Sequence, residues 1–215
     1  MHGIESLPGR FPIFPLTGAL LLPGGNLPLN IFEPRYLQMV RDAMQTDRVI
    51  GMIQPSAEPG PDGRPPIYGT GCAGRINNFR ETEDGRFLIT LTGIARFDVA
   101  EELSVTTPYR QVVANFERWR QDLQPEPPTD ALRGELLVAL KGFFDLHEIT
   151  ADWSTIESAP LAGLVTSLAM ICPFEPNEKQ AVLEAKDMNA QAALLTALMQ
   201  MAAPPGGVTE TSVRH

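Results

Sequence analysis

A cluster of prolines, Gln124-Pro125-Glu126-Pro127-Pro128, divides this chain into two stretches of different hydrophobic rhythm. Proline lacks a backbone donor and fixes φ, so neither a helix interior nor a central strand runs through such a segment. Upstream, apolar residues alternate as strands require. Downstream they recur at three- and four-residue steps, as helices require. That order predicts an α+β chain with its sheet first and its helices after.

The upstream stretch opens with residues 11–44, FPIFPLTGALLLPGGNLPLNIFEPRYLQMVRDAM. Leu27, Leu29 and Ile31 alternate with Pro28 and Asn30, which predicts a half-buried strand near a sheet edge. Pro34 suits a first helical turn, and Leu37, Val40 and Met44 then make one apolar face of a short helix. Residues 49–53, VIGMI, form a short apolar strand, and the Pro/Gly-rich residues 55–66 form a loop. Strands are expected over 68–79 and 86–94, joined by a hairpin at Asp84-Gly85, and over 96–105 and 109–116. Short strands at this spacing with one inserted helix suggest a small, partly open β-barrel.

After the prolines, Thr129 or Asp130 can cap a helix with Leu132, Leu136, Leu140 and Phe143 on its inner face. Pro160 starts a second helix, Pro176 a third, and Asp187 caps a fourth with the seam Met188, Gln191, Leu195, Leu198 and Ala202. The expected organisation is a barrel over 11–119, a linker over 120–128, a helical bundle over 129–203 and a polar tail over 204–215, with a loose arm before residue 11.

Charge narrows the function classes. The net charge is −9, and a strongly acidic protein repels phosphate backbones. Residues 126–203 hold eleven acidic and four basic residues, so the acidity resides in the helical part. Two cysteines, Cys72 and Cys172, lie in apolar runs with no Cys/His cluster nearby, which reads as reduced core thiols in the cytoplasm and no zinc site. The N-terminus has no apolar signal core, and no apolar run reaches the roughly 18 residues a membrane span needs.

Few constellations suggest catalysis. Gly69-Thr70-Gly71-Cys72-Ala73-Gly74 matches the dinucleotide fingerprint in letters, but a strand follows it where a helix is required. The glycines read instead as sites of curvature or close packing. No phosphate loop precedes Lys141, Lys179 or Lys186, so no cofactor or nucleotide is expected. Ser167 and Lys179 could be imagined as a Ser–Lys pair, but a helix-surface lysine is the simpler reading. Asp145, His147 and Glu148 lack the one-turn spacing of a metal site and read as a solvated helix end. Glu81, Glu83, Asp84 and Arg86 read as turn residues. Glu33, Arg35 and Tyr36 support two readings, a local lock at a helix start and a ligand-facing surface.

The motifs Phe32-Glu33-Pro34-Arg35-Tyr36, Gly71-Cys72-Ala73-Gly74-Arg75-Ile76, Leu91-Thr92-Gly93-Ile94-Ala95-Arg96-Phe97 and Cys172-Pro173-Phe174 together resemble the N-terminal substrate-binding domain of Lon-type ATP-dependent proteases. The resemblance runs from about Phe11 to Met201. It implies a PUA-like, partly open barrel followed by a helical bundle, without the ATPase and Ser–Lys peptidase parts. It implies a non-catalytic module for unfolded or extended polypeptides, an adaptor or holdase acting with a protease or chaperone. The alternatives are a PUA-like RNA-binding protein, against which the acidity counts, and a small hydrolase using carboxylates or His147. The expected ligand site is a groove between barrel and bundle. Its candidate contacts are Phe32, Glu33, Arg35, Tyr36 and, as either ligand contact or structural ion-pair partner, Arg96.

Overall fold

The structure is a computed structural model that describes residues 6–61 and 63–202. The expected tail, 204–215, lies outside the described residues, as do residues 1–5 of the expected arm. Six strands form one sheet: β1 (Arg10–Pro15), β2 (Asn26–Ile31), β3 (Val49–Ile53), β4 (Thr70–Glu81), β5 (Phe87–Glu102) and β6 (Gln111–Asn115). Their order is β2-β5-β4-β3-β1-β6, with a further pairing of β6 onto β5. Only the β1–β3 pairing is parallel. The second half of β5 pairs with β6, Asp98 facing Asn115. Its first half pairs with β2 from Phe87 to Thr92. The sheet therefore curls onto itself at one end of β5 and stays open at the other, a partly open barrel.

The length of β5 departs from expectation. Two strands, 86–94 and 96–105, are expected with a break at Ala95; one continuous strand runs through it. A Cβ on Gly93 would overlap the carbonyl oxygen of Leu22. The glycine thus admits a crossing chain and does not mark a turn. The crossing is tied down by hydrogen bonds, Gly24 N–H to Gly93 O and Gly93 N–H to Gly25 O, each 2.9 Å. The run Leu20-Leu21-Leu22 that leads into it is buried core. In the G-x-G-x-x-G segment a strand does follow, and a Cβ at Gly71 would lie 2.6 Å from Met52 O, one at Gly74 2.7 Å from Leu21 Cδ2. These glycines serve close packing.

The helix α1 (Pro34–Met44) starts at its proline. Its buried face is Tyr36, Met39, Val40 and Ala43, so Leu37 and Met44 sit at the margin of the contact. After β6 a 3₁₀ segment, Glu117–Leu123, carries buried Trp119 and Asp122. Residues 120–123, expected as linker, are therefore anchored to the sheet. Five helices follow: α2 (Ala131–Leu146), α3 (Trp153–Ser158), α4 (Leu161–Ile171), α5 (Pro176–Glu184) and α6 (Met188–Ala202). The short α3 has no apolar stripe to announce it. Its signal is the cap: Asp152 Oδ1 accepts from the backbone N–H of Ser154 and Thr155 at 3.0 and 3.3 Å.

One hydrophobic cluster joins both parts, running from Leu21, Met39 and Leu91 to Leu136, Val165, Leu183 and Leu195. Burial of such apolar surface is the main favourable term holding helices to sheet. Buried amides set the docking of α5. Gln180 Nε2 donates to Thr70 O at 3.1 Å, and Gln54 Nε2 donates to Pro176 O at 3.0 Å. Lys179, expected on a helix surface, is only 8% exposed, because its Nζ donates to Gly18 O at 2.8 Å across the same junction. Burial lowers its pKa. Ser167 is exposed, so the two do not form a nucleophile pair.

Candidate functional site

A buried ion pair lies where sheet, 3₁₀ segment and helices meet. Arg96 on β5 and Asp122 are 3% and 8% exposed. Arg96 Nη2 and Nε donate to the two Asp122 oxygens at 2.6 and 2.8 Å, and the Arg96 backbone N–H donates to the same carboxylate at 2.9 Å. Arg96 Nη1 donates to Leu183 O at 3.0 Å and Ala185 O at 2.5 Å, the carbonyls ending α5. Its guanidinium lies 3.9 Å from the centre of the Trp119 ring. A planar fork with this many fixed donors suits a joint between three elements. Arg96 joins these elements and also lines the cleft above them.

Above this joint opens a cleft of about 710 Å³, within the range of ligand sites. One wall is the crossing chain at Leu22 and Pro23, the other the start of α6 at Met188, Asn189 and Gln191. The 3₁₀ segment and Gln124-Pro125-Glu126 close the end. A groove between barrel and bundle was expected, and a cleft stands there. Three of its amides are tethered at one end. Gln121 Nε2 donates to Lys186 O at 3.2 Å, and Gln191 Nε2 to Val182 O at 3.3 Å. Asn189 Oδ1 accepts from Thr129 N–H at 2.8 Å. Asp187 caps α6, its Oδ1 accepting from Ala190 N–H at 2.9 Å.

The other candidates lie elsewhere. Phe32 follows β2 and is 62% exposed. Glu33 and Arg35 pair at 2.8 Å, both half exposed. Arg35 stacks 4.5 Å from the Tyr36 ring centre, and Tyr36 is buried 4.2 Å from Phe14. Burial raises the Tyr36 pKa, with the Arg35 charge acting against it. Arg35 and Tyr36 border a second cavity of about 400 Å³, with Tyr109 and Arg110 opposite. Of the five candidates, Arg96 lines the cleft and Arg35 and Tyr36 border the second cavity, while Phe32 and Glu33 line neither. Gln121, Asp122, Asn189 and Gln191 were not singled out as contacts; Gln191 was read as a seam residue alone. No local pattern links residues so far apart in sequence.

Among the described residues no group of three or more His, Cys, Asp or Glu could hold a metal ion. His147 ends α2 on the surface, its ring 4.3 Å from Phe143. Cys72 and Cys172 are free and buried. Burial pushes the Cys172 thiol up to about 11, against a smaller pull from Lys179. No helix among the described residues is long and apolar enough to cross a membrane.

The architecture is thus a partly open barrel joined to a helical bundle, with a cleft at the joint. The chain belongs to the family described as the ATP-dependent protease La (LON) substrate-binding domain, which it matches over residues 10–201. It is 28% identical over 199 residues to Lon protease 2 of Myxococcus xanthus, covering 91% of this chain and 24% of that protein. It is 27% identical to the Lon protease of Anaeromyxobacter dehalogenans over 199 residues, covering 91% of this chain and 23% of that protein. The chain thus spans about a quarter of the length of these relatives. A crystal structure of a Lon N-terminal domain protein from Xanthomonas campestris superposes with a TM-score of 0.60 at 24% identity, covering 87% of this chain and 97% of that one. The N-terminal domain of Mycobacterium avium complex Lon protease gives 0.63 at 14% identity, covering 89% and 98%. At these identities the two structures attest the fold.

Proposed function

We propose that this chain is a non-catalytic module that binds extended or unfolded polypeptide, acting as an adaptor or holdase beside a protease or chaperone in the cytoplasm. The observation that carries the reading is the cleft between sheet and bundle, about 710 Å³ in volume. Apolar surface from Leu22, Pro23 and Met188 lies there beside amide and charged groups. That mixture suits a chain with both main-chain dipoles and apolar side chains. Membership of a family described as substrate-binding supports the same reading. The free thiols, deeply buried, support a reducing compartment. Arg35 and Phe32, half or more exposed, are proposed as secondary client contacts outside the cleft.

The test compares one client in two states. Fluorescence anisotropy is measured with labelled α-lactalbumin, native and after reduction and carboxymethylation. Saturable binding of the unfolded form, at least tenfold tighter than of the native form, is expected. Equal binding of both forms, or binding of neither, refutes the proposal.

A further inference from the structure

We propose that the cleft recognises the main chain of an extended peptide, through Gln121, Asn189 and Gln191, and leaves side-chain identity largely unread. The inference rests on the polypeptide-binding reading and deepens it to a ligand chemistry. A side-chain amide holds two N–H donors and one acceptor oxygen. Here the protein anchors one end of each. Gln121 and Gln191 each spend one N–H on the carbonyls of Lys186 and Val182, which leaves their Oε1 atoms as acceptors beside a second N–H. Asn189 spends its Oδ1 on the Thr129 N–H, which leaves its Nδ2 as a donor. Among the described residues none of these three free ends meets a protein partner, and all three residues line the cleft.

Anchored amides that keep both acceptors and donors, Oε1 of Gln121 and Gln191 and Nδ2 of Asn189 among them, match what an extended chain offers on one edge, alternating N–H and C=O groups. The tethers hold the amides in place, so little side-chain freedom is lost on binding. Leu22, Pro23 and Met188 add apolar surface without a shaped pocket for one side chain. Met in particular adapts to varied neighbours. Recognition of this kind tolerates sequence and depends little on salt.

Two perturbations test it by fluorescence anisotropy. The probe is a short labelled peptide of alanine, valine and serine, beside a counterpart N-methylated at alternate residues. N-methylation removes main-chain donors and keeps every side chain. The parent peptide is expected to bind and the methylated one to bind at least tenfold more weakly. Asn189→Asp keeps the acceptor for Thr129 and replaces the free donor by a second acceptor. It is expected to weaken the parent peptide by roughly three- to tenfold, as loss of one hydrogen bond would, with an unchanged melting temperature. Equal affinity for both peptides overturns main-chain recognition while the polypeptide-binding reading stands. Absence of binding to both peptides, together with absence of binding to unfolded α-lactalbumin, overturns both.

Discussion

Replacing Asp122 by alanine tests whether one buried ion pair joins sheet to bundle. The substitution leaves the Arg96 guanidinium, 3% exposed, without its counter-charge, and removes three hydrogen bonds to the carboxylate. Breaking a buried pair from one side costs about 3–5 kcal/mol, because the remaining charge stays desolvated. Arg96 retains the carbonyls of Leu183 and Ala185 and the face of Trp119, which places the expected loss near the lower figure. At about 2–4 °C per kcal/mol for a chain of this size, the melting temperature should fall by roughly 6–12 °C. Urea denaturation followed by far-UV circular dichroism gives the free energy directly. The companion Arg96→Met, Asp122→Leu double variant should recover much of the loss, because an apolar pair carries no desolvation cost. A single variant melting within about 2 °C of the parent would refute the reasoning. So would a double variant that loses the sum of both single losses, since the pair would then be uncoupled.

Gly93→Ala should destabilise the fold by about 1–3 kcal/mol or more, since its methyl group must displace the Leu22 backbone; an unchanged urea midpoint would show that the crossing chain moves freely. Hydrogen bonds from Ser154 first, and then Thr155, hold the Asp152 carboxyl at about 2 against its usual 3.8. A depressed folded-state pKa stabilises the charged form, so the cap on α3 is fully effective above about pH 4 and is lost as pH falls through about 2. Amide protection at Ser154 and Thr155, measured by NMR, should fall across that window and stay flat in Asp152→Asn.

The sequence by itself determined the kinds of element and their order. Alternation at Phe87, Ile89 and Leu91 marked β5 because one face of the strand meets the core and the other meets solvent. Proline at 34 and 176 marked two helix starts, because a missing N–H costs nothing in a first turn. Asp187 announced α6 by its capping chemistry. These are local effects, governed by backbone sterics and by which face is apolar. Gly93 shows what local reading does not reach: it lies inside an expected strand, and only the chain crossing above it explains why no side chain is present. The short helix α3 was missed because six residues carry no full apolar stripe.

Tertiary structure alone decided the site. The partners of Arg96, Asp122 and the carbonyls ending α5, come from distant segments. Tyr36 packs against Phe14 and also borders the second cavity. Lys179 looked like a surface charge until Gly18 O was found to accept from it. The cleft draws Leu22, Gln121 and Asn189 from three distant segments. Hydrophobic periodicity says that a face is buried but not against what, and an amide's free end is set by whichever distant group takes the other. That information arises only when sheet and bundle are packed together.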